Sequence, residues 1–169
     1  MTRRHSLYET SFPYYLVFMA EILPTAVLDD EDVARIIFSP SYIYKGRVAP
    51  TAFRWEVLPS GHAEDYISVL RGNTSSLDNQ TRIFRARTEG DSRYGYALLR
   101  VGHVRSIALN GVECRVDVQS VPSKAHPNHA GIVVEISKKR VTALTPVSPE
   151  VMMIQKKLAS LCSDIVRFE

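Results

Sequence analysis

Cysteine is scarce in this chain, and so are tryptophan, lysine and any glycine-rich signature. The two cysteines among 169 residues, Cys114 and Cys162, are too few for a disulfide scaffold or a cysteine-based zinc site. No other grouping of His, Cys and acidic residues has metal-ligand spacing, so no metal site is expected. A Walker lysine loop, a Gly-x-Gly-x-x-Gly turn and a Gly-x-Ser-x-Gly elbow are all missing, which withdraws support from the common nucleotide folds and from an α/β-hydrolase. Long hydrophobic runs are missing too. The longest apolar stretch, residues 13–28, is broken by Glu21 and Pro24 and falls short of the ~20 residues that cross a bilayer. Arg3 and Arg4 precede it, but Tyr14, Tyr15 and Glu21 suit the apolar centre of a signal peptide poorly. The expectation is a cytoplasmic protein with reduced thiols.

Charge of one sign is also lacking. Lys+Arg 21 against Asp+Glu 18 leaves a net +3, which neither demands nor excludes nucleic acid. Hydrophobic residues make up 45% and charged residues 23%, with 8 Gly and 9 Pro, a globular composition rather than a collagen-like or disordered one. A chain this long buries roughly 70% of its unfolded surface, so one domain over 1–169 is expected. The charges are unevenly spread. Residues 29–32 read Asp-Asp-Glu-Asp, whereas residues 82–115 hold seven Arg against Glu89, Asp91 and Glu113.

The patterning predicts an α+β fold, a mainly antiparallel sheet with an N-terminal helical segment and a C-terminal helix packed on it. Asp29 or Asp30 can cap a helix over 30–37 whose apolar face is Val33, Ile36 and Ile37. Residues 41–53 read as a short strand, a turn at Gly46 and a loop, with Phe53 entering the core. Residues 64–71 read as a strand and 72–80 as a polar loop. Asn110-Gly111 is a hairpin cue that calls for φ > 0 at both positions. It would join a strand from about Ala97, irregular at Gly102, to the alternating strand Val112–Gln119; a helix over 97–109 fits the spacing as well. Residues 130–137, apolar on both faces, read as a central strand. Ser148-Pro149-Glu150 opens the last helix, with Val151, Ile154, Leu158, Leu161 and Ile165 as its stripe.

Three segments carry a resemblance. They are Asp29-Asp-Glu-Asp-Val-Ala-Arg35 with Gly46-Arg-Val-Ala-Pro-Thr-Ala-Phe53, Asp65-Tyr-Ile-Ser-Val69, and His126-Pro-Asn-His-Ala130 ahead of an apolar strand. Over residues 29–136 the chain resembles a scattered set of small bacterial proteins with a Gly-Arg-Val … Ala-Phe … Ser-Val half and a later Asn-x-His-Ala turn. It departs from them at Tyr66-Ile67, where they carry a Leu directly before the serine. The resemblance implies a bacterial intracellular setting and no assigned reaction or cofactor.

His126 and His129 sit three residues apart in a turn before a strand, where side chains reach clefts. His129 is a candidate base and Ser68 a candidate nucleophile; equally, His129 can pin its own turn and Ser68 can be a plain strand serine. Arg35, Arg47 and Arg54 surround the Gly46 turn. They can hold a phosphate or carboxylate, as an enzyme acting on NAD or a similar nucleotide needs, or can pair with the acidic run, Arg35 lying within helical reach of Glu31 and Asp32. The expected site is where the His126–His129 turn meets the Gly46–Arg54 loop, with Arg47, Arg54, His126 and His129 binding. Arginines and aromatics interleave over 82–96, a pattern that holds single-stranded nucleic acid or guards a strand edge. With no catalytic constellation complete by spacing, the best expectation is a binding or accessory module for a protein partner. An enzyme acting on a nucleotide-like substrate is the first alternative, nucleic-acid binding the second.

Overall fold

The computed structural model describes residues 26–72, 90, 92–123 and 126–168. In chain order these form β1 (Asp32–Ser39), β2 (Ile43–Tyr44), β3 (Arg47–Val48), a 3-10 turn (Pro50–Phe53), β4 (Ile67–Arg71), β5 (Ser92–Arg100), α1 (Val101–Arg105), β6 (Cys114–Ser120), β7 (His129–Ile136), β8 (Lys139–Arg140), α2 (Pro149–Leu161) and β9 (Val166–Arg167). The main sheet runs β6-β7-β4-β1-β5-β9, with β8 folded back on β7, and the pairings among the described residues are antiparallel. The mainly antiparallel sheet and the C-terminal helix are as the patterning predicts.

The helix expected over 30–37 is a strand. Residues Val33–Phe38 are all buried, because β1 lies inside the sheet with β5 on one side and β4 on the other. A short apolar run shows the same residues to a helix or a two-sided strand, and three β-branched residues in six tip it towards the strand. The acidic run therefore caps nothing and is shared out among arginines from other elements. Asp29 pairs with Arg105, Glu31 with Arg71 and Asp32 with Arg100. The rest of the N-terminal helical segment, with most of the loop expected at 72–80, lies outside the described residues.

The hairpin cue also resolves differently. Leu109 and Val112 bridge across Asn110-Gly111, but only Gly111 of the two has positive φ, and β6 ladders onto β7 rather than onto residues 97–109. The strand from 97 belongs to β5, which stops at Arg100, and Gly102 sits in the one-turn α1. Positive φ at both central residues occurs instead at Lys45-Gly46 and Ser137-Lys138, the loops of the β2–β3 and β7–β8 hairpins.

α2 begins as its sequence states: Ser148 Oγ accepts from Val151 N–H, Pro149 follows, and Glu150 lies in the first turn. Its Val151, Ile154 and Leu158 join the sheet residues in one hydrophobic core, and its nearest packing partner is the 3-10 turn that buries Ala52 and Phe53. Among the described residues no helix is long and apolar enough to cross a membrane.

Candidate functional site

β1 and β4 ladder at two positions, Val33 with Arg71 and Ala34 with Leu70. The same register continued would set Arg35 opposite Val69 and Ile36 opposite Ser68, but there the strands part. Each is held from its outer side, β1 by β5 and β4 by β7, so the inner edges can separate without either strand being lost. The fork is filled by the side chain of Arg35. Its Nε donates to the Ala52 carbonyl and its Nη1 to the Ser68 carbonyl, both at 2.7 Å. A carbonyl that faces the fork thus finds a guanidinium donor where the ladder supplies none.

Beyond the guanidinium lies a cavity of about 30 Å³, lined by Arg35, Tyr42, Arg54, Glu56, Glu64 and Ser68 over an apolar base. This is room for about two water molecules. Tyr42 organises one wall. Its hydroxyl donates to Glu56 Oε1 at 2.6 Å, and the guanidinium carbons of Arg35 and Arg54 lie 5.5 and 5.9 Å from its ring centroid. Burial raises the tyrosine's pKa, against the pull of the Arg35 charge. Arg35 itself is 8% exposed. Among the described residues no carboxylate stands within salt-bridge distance of it, since Glu31 and Asp32, in helical reach on paper, are taken by Arg71 and Arg100.

The residues singled out by sequence fall in three places. Arg54 and Ser68 meet in this cavity. Arg47 lines a separate groove of about 450 Å³ between the β2–β3 hairpin and the end of α2, with Lys156 and Cys162. Burial pushes the Cys162 thiol up to about 12, with the charge of Arg35 pulling the other way. His126 and His129 line neither space. His129 Nδ1 lies 2.9 Å from the Val121 carbonyl, Val121 N–H donates back to the His129 carbonyl at 2.9 Å, and the Tyr66 ring meets the imidazole edge-on at 5.6 Å. That ring lies over Gly131, where an added Cβ would come within 2.6 Å of it. Burial pushes His126 below its ordinary value. Among the described residues no group of three or more His, Cys, Asp or Glu could hold a metal ion.

Tyr42, Glu56 and Glu64 escape a reading of the sequence, because three separate segments bring them to Arg35. One signal was available. An arginine inside Val33-Ala-Arg-Ile-Ile37 brings a charge into an apolar strand, and a buried guanidinium must find acceptors.

Of the stretch 82–96, residues 90 and 92–96 are described. Arg93 stacks on Phe168 and Arg167 on Tyr94, each at 4.8 Å; residues 82–87 lie outside the described residues.

No protein-family model, curated protein or solved structure matches the chain.

Proposed function

We propose that the chain is a small cytoplasmic binding or accessory module of bacterial origin that docks a protein partner on the shoulder where the 142–147 loop enters α2. The observation that supports this reading is apolar exposure gathered in one short segment. Leu144 and Val147 are each 75% exposed, and Met152 and Met153 nearly half. Single exposed apolar residues need no explanation, but several within ten positions favour an interaction site. Methionine suits such a surface because its unbranched, polarisable side chain adapts to the partner. A groove of about 330 Å³ adjoins it, lined by Leu109, Val112, Pro149 and Met153 together with Glu150 and Lys157. An amphipathic helix with apolar anchors is the partner segment this surface fits.

The rival readings have less behind them. A cavity of about 30 Å³ at Arg54 and Ser68 is roughly tenfold smaller than pockets that take drug-sized ligands, which weighs against NAD there. Arg93 and Arg167 already stack on aromatic rings of the chain itself, which leaves those rings less open to bases.

A photo-crosslinker placed at position 147 or 153 in the native host should capture one and the same polypeptide. Leu144→Asp with Met152→Glu should abolish its capture at unchanged thermal stability. Capture that is indifferent to the two charges, or no capture from either position, ends the reading.

A further inference from the structure

The fork between β1 and β4 holds two donors that the described residues leave unspent. Arg35 uses Nε on Ala52 and Nη1 on Ser68, and among the described residues its Nη2 makes no hydrogen bond. Ser68, whose carbonyl accepts from Arg35, has a hydroxyl for which the described residues likewise supply no partner. Both side chains line the same cavity. Arg35 is more than nine-tenths buried, and among the described residues no carboxylate stands at contact distance from it. A guanidinium taken out of water without a contact ion is costly, and an anion accepting its remaining N–H groups offsets that cost.

We infer that this cavity is a binding site for a small monovalent anion, a halide or a one- or two-carbon carboxylate, held by Arg35 Nη2 and the Ser68 hydroxyl. Size and charge select the ligand class. Room for about two water molecules admits chloride, formate or acetate and excludes a nucleotide. The charges on the walls discriminate further. Arg35 and Arg54 are matched by Glu56 and Glu64, and Glu56 is already engaged by the Tyr42 hydroxyl. With the wall charges balanced, a single negative charge beside Arg35 is tolerated, whereas sulfate or phosphate would meet the two glutamates with a second. The site is independent of the apolar shoulder on α2: it lies in the sheet and uses none of the same residues.

The test is made on the full chain in a buffer whose only anion is too large to enter, such as gluconate, at constant ionic strength. Chloride is titrated by 35Cl line broadening, with acetate, formate and sulfate as competitors. Saturable broadening is expected, reversed by formate and acetate and unaffected by sulfate. Ser68→Ala should weaken chloride at least roughly tenfold, as loss of one hydrogen bond to a charged ligand does, while melting with the wild type in gluconate. Arg35→Gln should abolish the response; because that change also removes two buried hydrogen bonds, crystals of the wild type grown in bromide give a second measurement, with an anomalous peak expected within hydrogen-bond distance of Arg35 Nη2. Broadening that does not saturate, competition by sulfate equal to that by formate, or bromide absent from the fork in favour of water overturns the proposal. So does a Ser68→Ala protein that binds chloride as the wild type does.

Discussion

Arg71 is the most completely buried charge among the described residues, 1% exposed at the end of β4. Its Nε and Nη2 donate to the two carboxylate oxygens of Glu31 at 3.0 and 2.9 Å, and Nη2 also reaches the Ala26 carbonyl at 3.1 Å. Fork-to-fork contact of this kind ties the entry to β1 onto the far end of β4. Glu31→Gln takes the paired carboxylate away from a buried guanidinium and should cost about 3 kcal/mol, read as a lower urea midpoint at an unchanged slope. Burial alone would raise the Glu31 carboxyl. The Arg71 hydrogen bond, the Leu28 N–H and the charges of Arg71 and Arg105 outweigh it and hold the group below its ordinary value. Asp117 is lowered in the same way, burial being outweighed by Arg105, Gln119 and the Val118 N–H. A carboxyl whose folded pKa is depressed stabilises the fold above its unfolded pKa, about pH 4, and that stability drains away as pH falls through the folded value. The urea midpoint should therefore drop between about pH 5 and about pH 3, and drop less in Glu31→Gln; equal acid limbs would contradict this account. At Cys162 the chemistry is muted. A thiol pushed up to about 12 by burial carries almost no thiolate at neutral pH, so it should react with a thiol reagent at pH 8 more slowly than a free cysteine does.

At the scale of the element, the sheet's β9 edge rests on one missing side chain. The β9 backbone crosses so close to Gly95 that a Cβ there would lie 2.1 Å from the Val166 carbonyl oxygen. Neither strand can yield that distance without breaking the Gly95–Arg167 and Tyr96–Val166 pairs. Gly95→Ala should release β9 together with the Phe168 ring, which packs on Tyr96 and under Arg93. Hydrogen exchange confined to residues 164–168 and faster cleavage near the C-terminus are the expected readout, with the core amides unchanged. α2 has a milder dependence on a single group. Ser148 Oγ accepts from the Val151 N–H at 3.3 Å, and Ser148→Ala should lower stability by about 1 kcal/mol. The opposite edge, β6, is guarded by Arg105. Its Nη2 donates to the Val118 carbonyl at 3.0 Å while its Nε bonds Asp117, which denies that carbonyl to a second chain.

For the whole molecule, one core links the sheet, α1, the 3-10 turn and α2. Deleting residues 148–169 removes the buried Val151, Ile154 and Leu158 together with β9. At about 1.5–3 kcal/mol for each fully buried aliphatic side chain, the loss approaches the entire stability of an ordinary domain. The truncated chain should lose its cooperative melting transition. An unchanged midpoint would mean that α2 is an appendage rather than a wall of the core.

The sequence by itself determined whatever is written in neighbouring residues. The Ser-Pro-Glu start and the 3.6-residue stripe declare α2, and the doubly apolar run at 130–136 declares a central strand, because cap and periodicity act within one element. Strand pairing was decided only in three dimensions. Val33 to Phe38 reads equally as a helix face or a two-sided strand until β4 and β5 stand beside it. Asn110-Gly111 turns the chain, yet the partner of β6 is β7, because the ladder forms with whichever strand the core brings alongside. The acidic run shows the same division. Its charge is plain in the sequence, but its partners Arg71, Arg100 and Arg105 lie 40 to 76 residues further along. The fork at Arg35 exists because two strands, each anchored on its outer side, part after two pairs, and no local pattern records where a ladder stops.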